Sequence, residues 1–210
     1  MRGKKILVVG DDKQVSPTQV GVSADIIESL YHRFLRHLPL GDSMNIRNSI
    51  YDLASVAFAG SLVRLREHFR CVEPIINFSS HQFYGGEINC VRVPKTSERL
   101  LPCLISTRVL HGRRHDTRKV NRAEAEAIVD EIEVLVGDPT FGSRTIGIIS
   151  LLGNEQPREI FDILRARLGE EVIVRHQIRA GDAATFQGSE FDVVFLSMVA
   201  SGRPSVSTAR

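Results

Sequence analysis

Cysteine is scarce in this chain. Cys71, Cys90 and Cys103 are the only three among 210 residues, and no two share a CxxC spacing. Neither a disulfide framework nor a zinc site is indicated, and a reducing, cytoplasmic setting is the default. His32, His37, His68, His81 and His176 show no metal-ligand spacing either, so no metal site is expected. Charge of one sign is lacking as well, since a formal net charge of +2 names no partner. No apolar stretch approaches the roughly 20 residues that span a bilayer. The basic start Met1-Arg-Gly-Lys-Lys5 leads straight into a short apolar run and does not look like a secretory signal, so no membrane partner is expected. Internal repeats and low-complexity segments are absent. So is GxxxxGK[ST], which removes the Lys and Ser/Thr that would hold nucleotide phosphates and Mg²⁺.

What is present is an ordinary soluble composition, 42% hydrophobic and 25% charged, long enough for one large domain or two small ones. Residues 5–9 form a β-branched-rich run closed by Gly10 and read as a strand. Residues 24–38 carry helical apolar spacing that Pro39 and Gly41 stop, and 46–58 suit a second helix. A short strand is expected at 62–66, then a short helix opening near Pro74 and closing at Gly85-Gly86. A strand at 104–110 and a basic loop at 111–119 precede Asn121, which caps an amphipathic helix over 122–136. Strand 145–151, helix 157–168 and strands 172–176 and 193–199 follow. Helices alternating with apolar strands predict an α/β fold, a mostly parallel sheet with helices on both faces.

Three stretches hold candidate chemistry. In GDDKQVSP (residues 10–17) a Gln at a strand's carboxyl end can bond a phosphate oxygen or an attacking water, and Pro17 fixes the loop. The same residues also suit an ordinary strand–turn. Residues 65–71 hold Phe69, able to stack on a base, and Arg70, able to clamp a phosphate. A surface Arg beside a core Phe is the plain alternative. Residues 183–197, AATFQGSEFDVVFLS, place Gln187, Gly188 and Glu190 in a loop leading to a buried strand. The glycine permits close approach to a ligand. KILVVGDD also resembles the first strand of a receiver domain, but that reading needs an acceptor Asp near 52 and a Lys near 104. Asp52 lies in a helical pattern and position 104 is Leu, so both requirements fail. The basic loop, with Arg113, Arg114, His115, Arg118 and Lys119, reads either as a solvated face or as a nucleic-acid patch.

In order and spacing these stretches resemble the motifs of superfamily 1 helicases, in the branch that contains the nonsense-mediated-decay RNA helicases, senataxin and related DNA helicases. Residues 10–17 match GDxxQLxP. Residues 65–70 with Pro74, Ile76, Phe78 and Phe83-Tyr84-Gly85-Gly86 match QYRMHPxIxxFxxxxFYxG, with Phe69 and Cys71 for the usual Tyr and Met. IGIISLLGNEQ (146–156) resembles VGVISPYxxQ, and residues 186–197 match FQGxExDVVILS, although Ala184 stands where many relatives have Asp.

The resemblance implies a RecA-like, P-loop NTPase type of fold and a piece of a larger ATP-dependent DNA or RNA helicase. Residues 1–60 would be the end of the first RecA-like domain and its connection. Residues 61–210 would be the second, cut before the family's last Arg motif. Gln14 would sense the γ-phosphate and Arg70 would be the finger reaching it; these are the implied catalytic pair. Phe69, Gln187, Gly188 and Glu190 would complete the ATP side. Ser150, Gln156, Ala184 and Thr185 would touch single-stranded nucleic acid. ATP and Mg²⁺ would serve the parent protein, none being bound by the fragment alone, which is expected to be inactive. Its partners would be a single strand and the first RecA-like domain. The alternative is a non-catalytic RecA-like module that binds nucleic acid or a protein.

Overall fold

A computed structural model of the chain describes residues 4–14, 23–45, 48–96 and 100–201. Packing divides it into two units, Met1–Ser106 and Thr107–Arg210. The packing boundary thus follows Ser106, whereas the resemblance sets one after residue 60, inside the first unit.

In the first unit local signals make the helices. Helix α1 (Ala24–Leu30) runs into a π-helical turn, Tyr31–Leu35, ahead of Pro39. Helix α2 (Ile50–Ala57) begins with a capping box: Ser49 Oγ accepts from the Asp52 N–H at 3.2 Å, and the Asp52 carboxylate accepts from the Ser49 N–H at 2.7 Å. Asp52 is therefore a helix cap, consistent with the failure of the receiver reading. Strand β1 (Glu67–His68) pairs in parallel with β2 (Asn89–Cys90). Between them lies α3 (Glu73–Tyr84), with Pro74 in its first turn and Gly85 in the left-handed region at its end.

All three strands expected before the basic loop are corrected. Residues 5–9 make no ladder, and Leu7 is 88% exposed; β propensity yields a strand only where a neighbour pairs with it. Residues 62–66 are irregular and the strand falls at 67–68. Residues 104–110 also form no strand and are mostly exposed.

The second unit is built around a three-stranded parallel sheet in the order β4-β3-β5, where β3 is Ile146–Ser150, β4 Arg179–Asp182 and β5 Val193–Ser197. Ile148 stands opposite Ala180 on one side and Phe195 on the other. Helix α4 (Arg122–Gly137) is capped as expected, Asn121 accepting from the Glu124 N–H. Helix α5 (Glu155–Arg175) makes the crossover from β3 to β4 and is broken at Gly169, whose φ is 75°. Ala125, Val129 and Ile132 of α4 meet Ile160 and Leu164 of α5 over Ile146 and Ile148, all fully buried. The other face of the sheet is met by Phe186 and Phe191, which crowd against Gly147. The expected strand at 172–176 is instead the last turn of α5, where Ile173 joins the core as a helical residue. No helix among the described residues is long and apolar enough to cross a membrane.

Candidate functional site

All three strands of the second unit are parallel, so their carboxyl ends share one edge, the place where open α/β sheets bind ligands. Asp182, the last residue of β4, ties that edge together. Its carboxylate accepts from the Thr185 N–H at 2.8 Å and the Thr185 hydroxyl at 2.7 Å on one oxygen, and from the Asn154 amide at 3.0 Å on the other. These bonds, the Thr185 hydroxyl foremost, hold its carboxyl below the usual range. The loop after β3 and the loop after β4 are thus fixed to each other.

The FQG segment follows directly. The Gln187 N–H donates to Ala184 O, the Ser189 N–H donates to Phe186 O at 2.9 Å, and Gly188 takes φ of +80°. That φ suits glycine and strains any other residue. The rings of Phe186 and Phe191 lie 5.3 Å apart. Both rest on β3 where Gly147 has no side chain to obstruct them: a Cβ added there would stand 2.9 Å from each ring. Gln187 and Glu190 are left exposed at the tip. Beside the loop is a shallow hollow of about 260 Å³ bordered by Phe161, Arg179, Thr185 and Ser189.

Two of the residues expected to touch a strand turn inward. Ser150 is 2% exposed and its Oγ accepts from the Leu152 N–H. Gln156 is fully buried; its amide oxygen accepts from the Asn121 N–H at 2.8 Å and its amide nitrogen donates to Asn121 O at 3.1 Å. Gln156 clamps the starts of α4 and α5 together, so its side chain is corrected from a surface contact to a buried support. Ala184 and Thr185 are exposed. Sequence reading passed over Glu124, whose carboxylate receives the Ser197 hydroxyl and the Val199 N–H and so fixes the exit of β5. It also passed over Asp182, although an Asp followed three residues later by Thr is a side-chain-capped turn.

Gln14, Phe69 and Arg70 belong to the first unit. Asp11 organises the loop there: it accepts from the Lys13 N–H and the Gln14 amide, each at 3.0 Å, and from the Tyr84 hydroxyl at 2.6 Å. The GDD stretch and the FYGG stretch, far apart in sequence, therefore meet. Burial pushes the Asp11 carboxyl up, but the three donors outweigh it and hold the group below the usual range. Burial, then the Asp11 bond, pushes the Tyr84 phenol up to about 12. Gln14 is exposed, Phe69 is 67% exposed, and the Arg70 carbonyl accepts from the Arg92 guanidinium. The neighbouring His68 has its proton affinity lowered, chiefly by burial, and its Nε2 accepts from the Cys71 N–H at 2.8 Å. Among the described residues no group of His, Cys, Asp and Glu could hold a metal ion.

Residues 47–208 match a family described as AAA domain, the family of C-terminal domains of superfamily 1 helicases. The chain belongs to this family. No curated protein matches the chain. The AAA domain accounts for the parallel sheet and its flanking helices as a RecA-like fold, and makes the chain a helicase-type domain.

Proposed function

We propose that this AAA domain works within an ATP-dependent nucleic-acid helicase or translocase, supplying the second-domain half of the ATP site and part of the single-strand track. The observation that carries the reading is the FQG loop, which leaves the carboxyl end of β4 and is seated by its aromatic pair on Gly147 of a parallel sheet in a helicase-type domain. Gln14 and Arg70 offer an amide and a guanidinium, donors suited to phosphate oxygens. Gln14 would contact the γ-phosphate or the attacking water, and Arg70 would stabilise the charge that develops on it. Phe69 is an exposed aromatic face on which adenine would stack, and Gly188 and Glu190, with Gln187, would border the nucleotide. No P-loop is present in these residues, so the phosphate cradle and the Mg²⁺ ligands would come from another RecA-like domain, with which ATP supplies the chemical drive for stepping. Ala184 and Thr185 would meet the strand, through backbone contacts that salt weakens.

The test is steady-state ATP hydrolysis by the native protein, its size first read from an immunoblot of source cells. Arg70→Ala is expected to lower kcat by about 10³-fold or more, as loss of an arginine finger does elsewhere. Gln14→Ala is expected to lower it too, with KM for ATP less affected. ATP hydrolysis untouched by either change, or a native protein that never hydrolyses ATP, would leave a non-catalytic interaction module in place of this reading.

A further inference from the structure

The basic loop at 111–119 lies at the carboxyl edge of the sheet, the edge that Asn154, Asp182 and Thr185 share. It leads into α4, and three contacts pin it there. The Lys119 N–H donates to the Glu155 carboxylate at 2.6 Å, at the start of α5 just beyond β3. The stem of Lys119 lies against Gly153, where an added Cβ would meet its Cδ at 3.1 Å. At the other end the Arg114 N–H donates to the Ser201 hydroxyl at 3.0 Å, in the segment that leaves β5. The loop thus bridges the exits of two neighbouring parallel strands.

Its shape is set before any ligand arrives. His115 Nδ1 accepts from the Arg118 N–H at 3.2 Å and the Thr117 N–H at 3.3 Å, and the His115 N–H donates to Val120 O at 2.7 Å. With two backbone donors on one ring nitrogen and its own N–H on Val120, the histidine acts as the turn's hub. The cations divide into two groups. Arg113 faces Asp116 at 3.6 Å and Arg118 faces Glu159 at 3.8 Å, whereas the Arg114 and Lys119 side chains form no ion pair among the described residues. Both are exposed.

Resting on the helicase reading above, we propose that loop 111–119 is a phosphate-backbone contact for single-stranded nucleic acid, made by Arg114 and Lys119. A strand crossing the carboxyl edge past Thr185 would find two cations outside any ion pair on a pre-ordered loop, and a polyanion gains by releasing its condensed counterions to bulk solution as such groups take their place. The loop reads no base. It adds affinity without sequence preference.

The experiment is fluorescence anisotropy of a labelled single-stranded oligonucleotide against this protein and its Arg114→Gln/Lys119→Gln variant over a salt series. Both pinning bonds come from backbone N–H groups, so the variant keeps them and most of each stem; an unchanged melting curve verifies its fold. The variant is expected to bind about 25-fold more weakly at 0.1 M salt, with the log–log salt slope shallower by about 1.4 and the difference vanishing near 1 M. A control with two charges removed from α5, Arg165→Gln/Arg175→Gln, is expected to bind like the parent. Equal weakening in the control, or a variant that matches the parent, overturns the proposal while the helicase reading stands. A parent protein that binds no strand takes down the helicase reading and this proposal with it.

Discussion

Among the described residues of the first unit no hydrophobic side chain is buried, and only Gly41 and Ser80 are shielded from solvent. In the second unit twelve hydrophobic residues from Ala125 to Ile178 form one continuous cluster. Both stretches of sequence carry amphipathic helices, so helical spacing is not what separates them. Phe78 on α3 is as well placed by spacing as Ile160 on α5, yet it is 69% exposed while Ile160 is fully buried. The difference is the sheet. Three paired strands give α4 and α5 an apolar floor, whereas two-residue strands offer α3 almost none. In the first unit order comes from caps and from polar bonds such as Asp11 with Tyr84.

That contrast is sharpest where a core residue is cut away. Ile160→Ala is expected to cost about 2–5 kcal/mol in denaturant unfolding, and Phe78→Ala no more than about 0.5 kcal/mol, as for surface changes generally. Equal costs would mean that the first unit has a core of its own. Next in size is Gln156→Ala, which strips two partners from the buried Asn121 backbone. A loss of about 1–3 kcal/mol is expected in the same assay, with amide exchange rising at the starts of α4 and α5.

The first unit responds to pH instead. Tyr84→Phe is expected to cost about 1 kcal/mol near neutrality. Because the Asp11 carboxyl is held low when folded, its contribution is full above about pH 4 and is lost as pH falls through the folded value. The Tyr84 phenol, pushed up to about 12, contributes fully below about pH 10 and loses that contribution as pH rises toward 12. Phenolate absorbance against pH should therefore show a step at about 12 that Tyr84→Phe removes and Asp11→Asn moves earlier. The melting temperature of Tyr84→Phe should vary less with pH than the parent's at both extremes. A parent titration with no late step would break the latch.

Elements whose signal is local could be read from the sequence: the Asn121 cap, Pro74 and Gly85 around α3, and the strands at 146–150 and 193–197 with their β-branched runs. Where tertiary context decides, reading failed. Val172, Ile173 and Val174 have strand propensity but complete a helix, because Ile173 reaches the core from that geometry. Strand β4, Arg179–Asp182, has one weakly apolar residue, Ala180, and exists because β3 pairs along it. At the site, the FQG loop was legible from its residue order. The inward turn of Ser150 and Gln156 was not, since nothing in a one-dimensional motif says which way a polar side chain faces. Nor could spacing show that Asp11 and Tyr84 share a hydrogen bond.

Gly147 gives the motif loop an address outside itself. The aromatic pair of the loop occupies space that β3 leaves vacant, so even a methyl at 147 would collide with both rings and lift the FQG turn off its strand. Altering the tip of the loop would change what it touches; altering this glycine would change where the tip is. The loop's position is thus inherited from an omission on a strand some forty residues earlier in the chain, and a substitution there would mimic a motif mutation while leaving every letter of the motif intact.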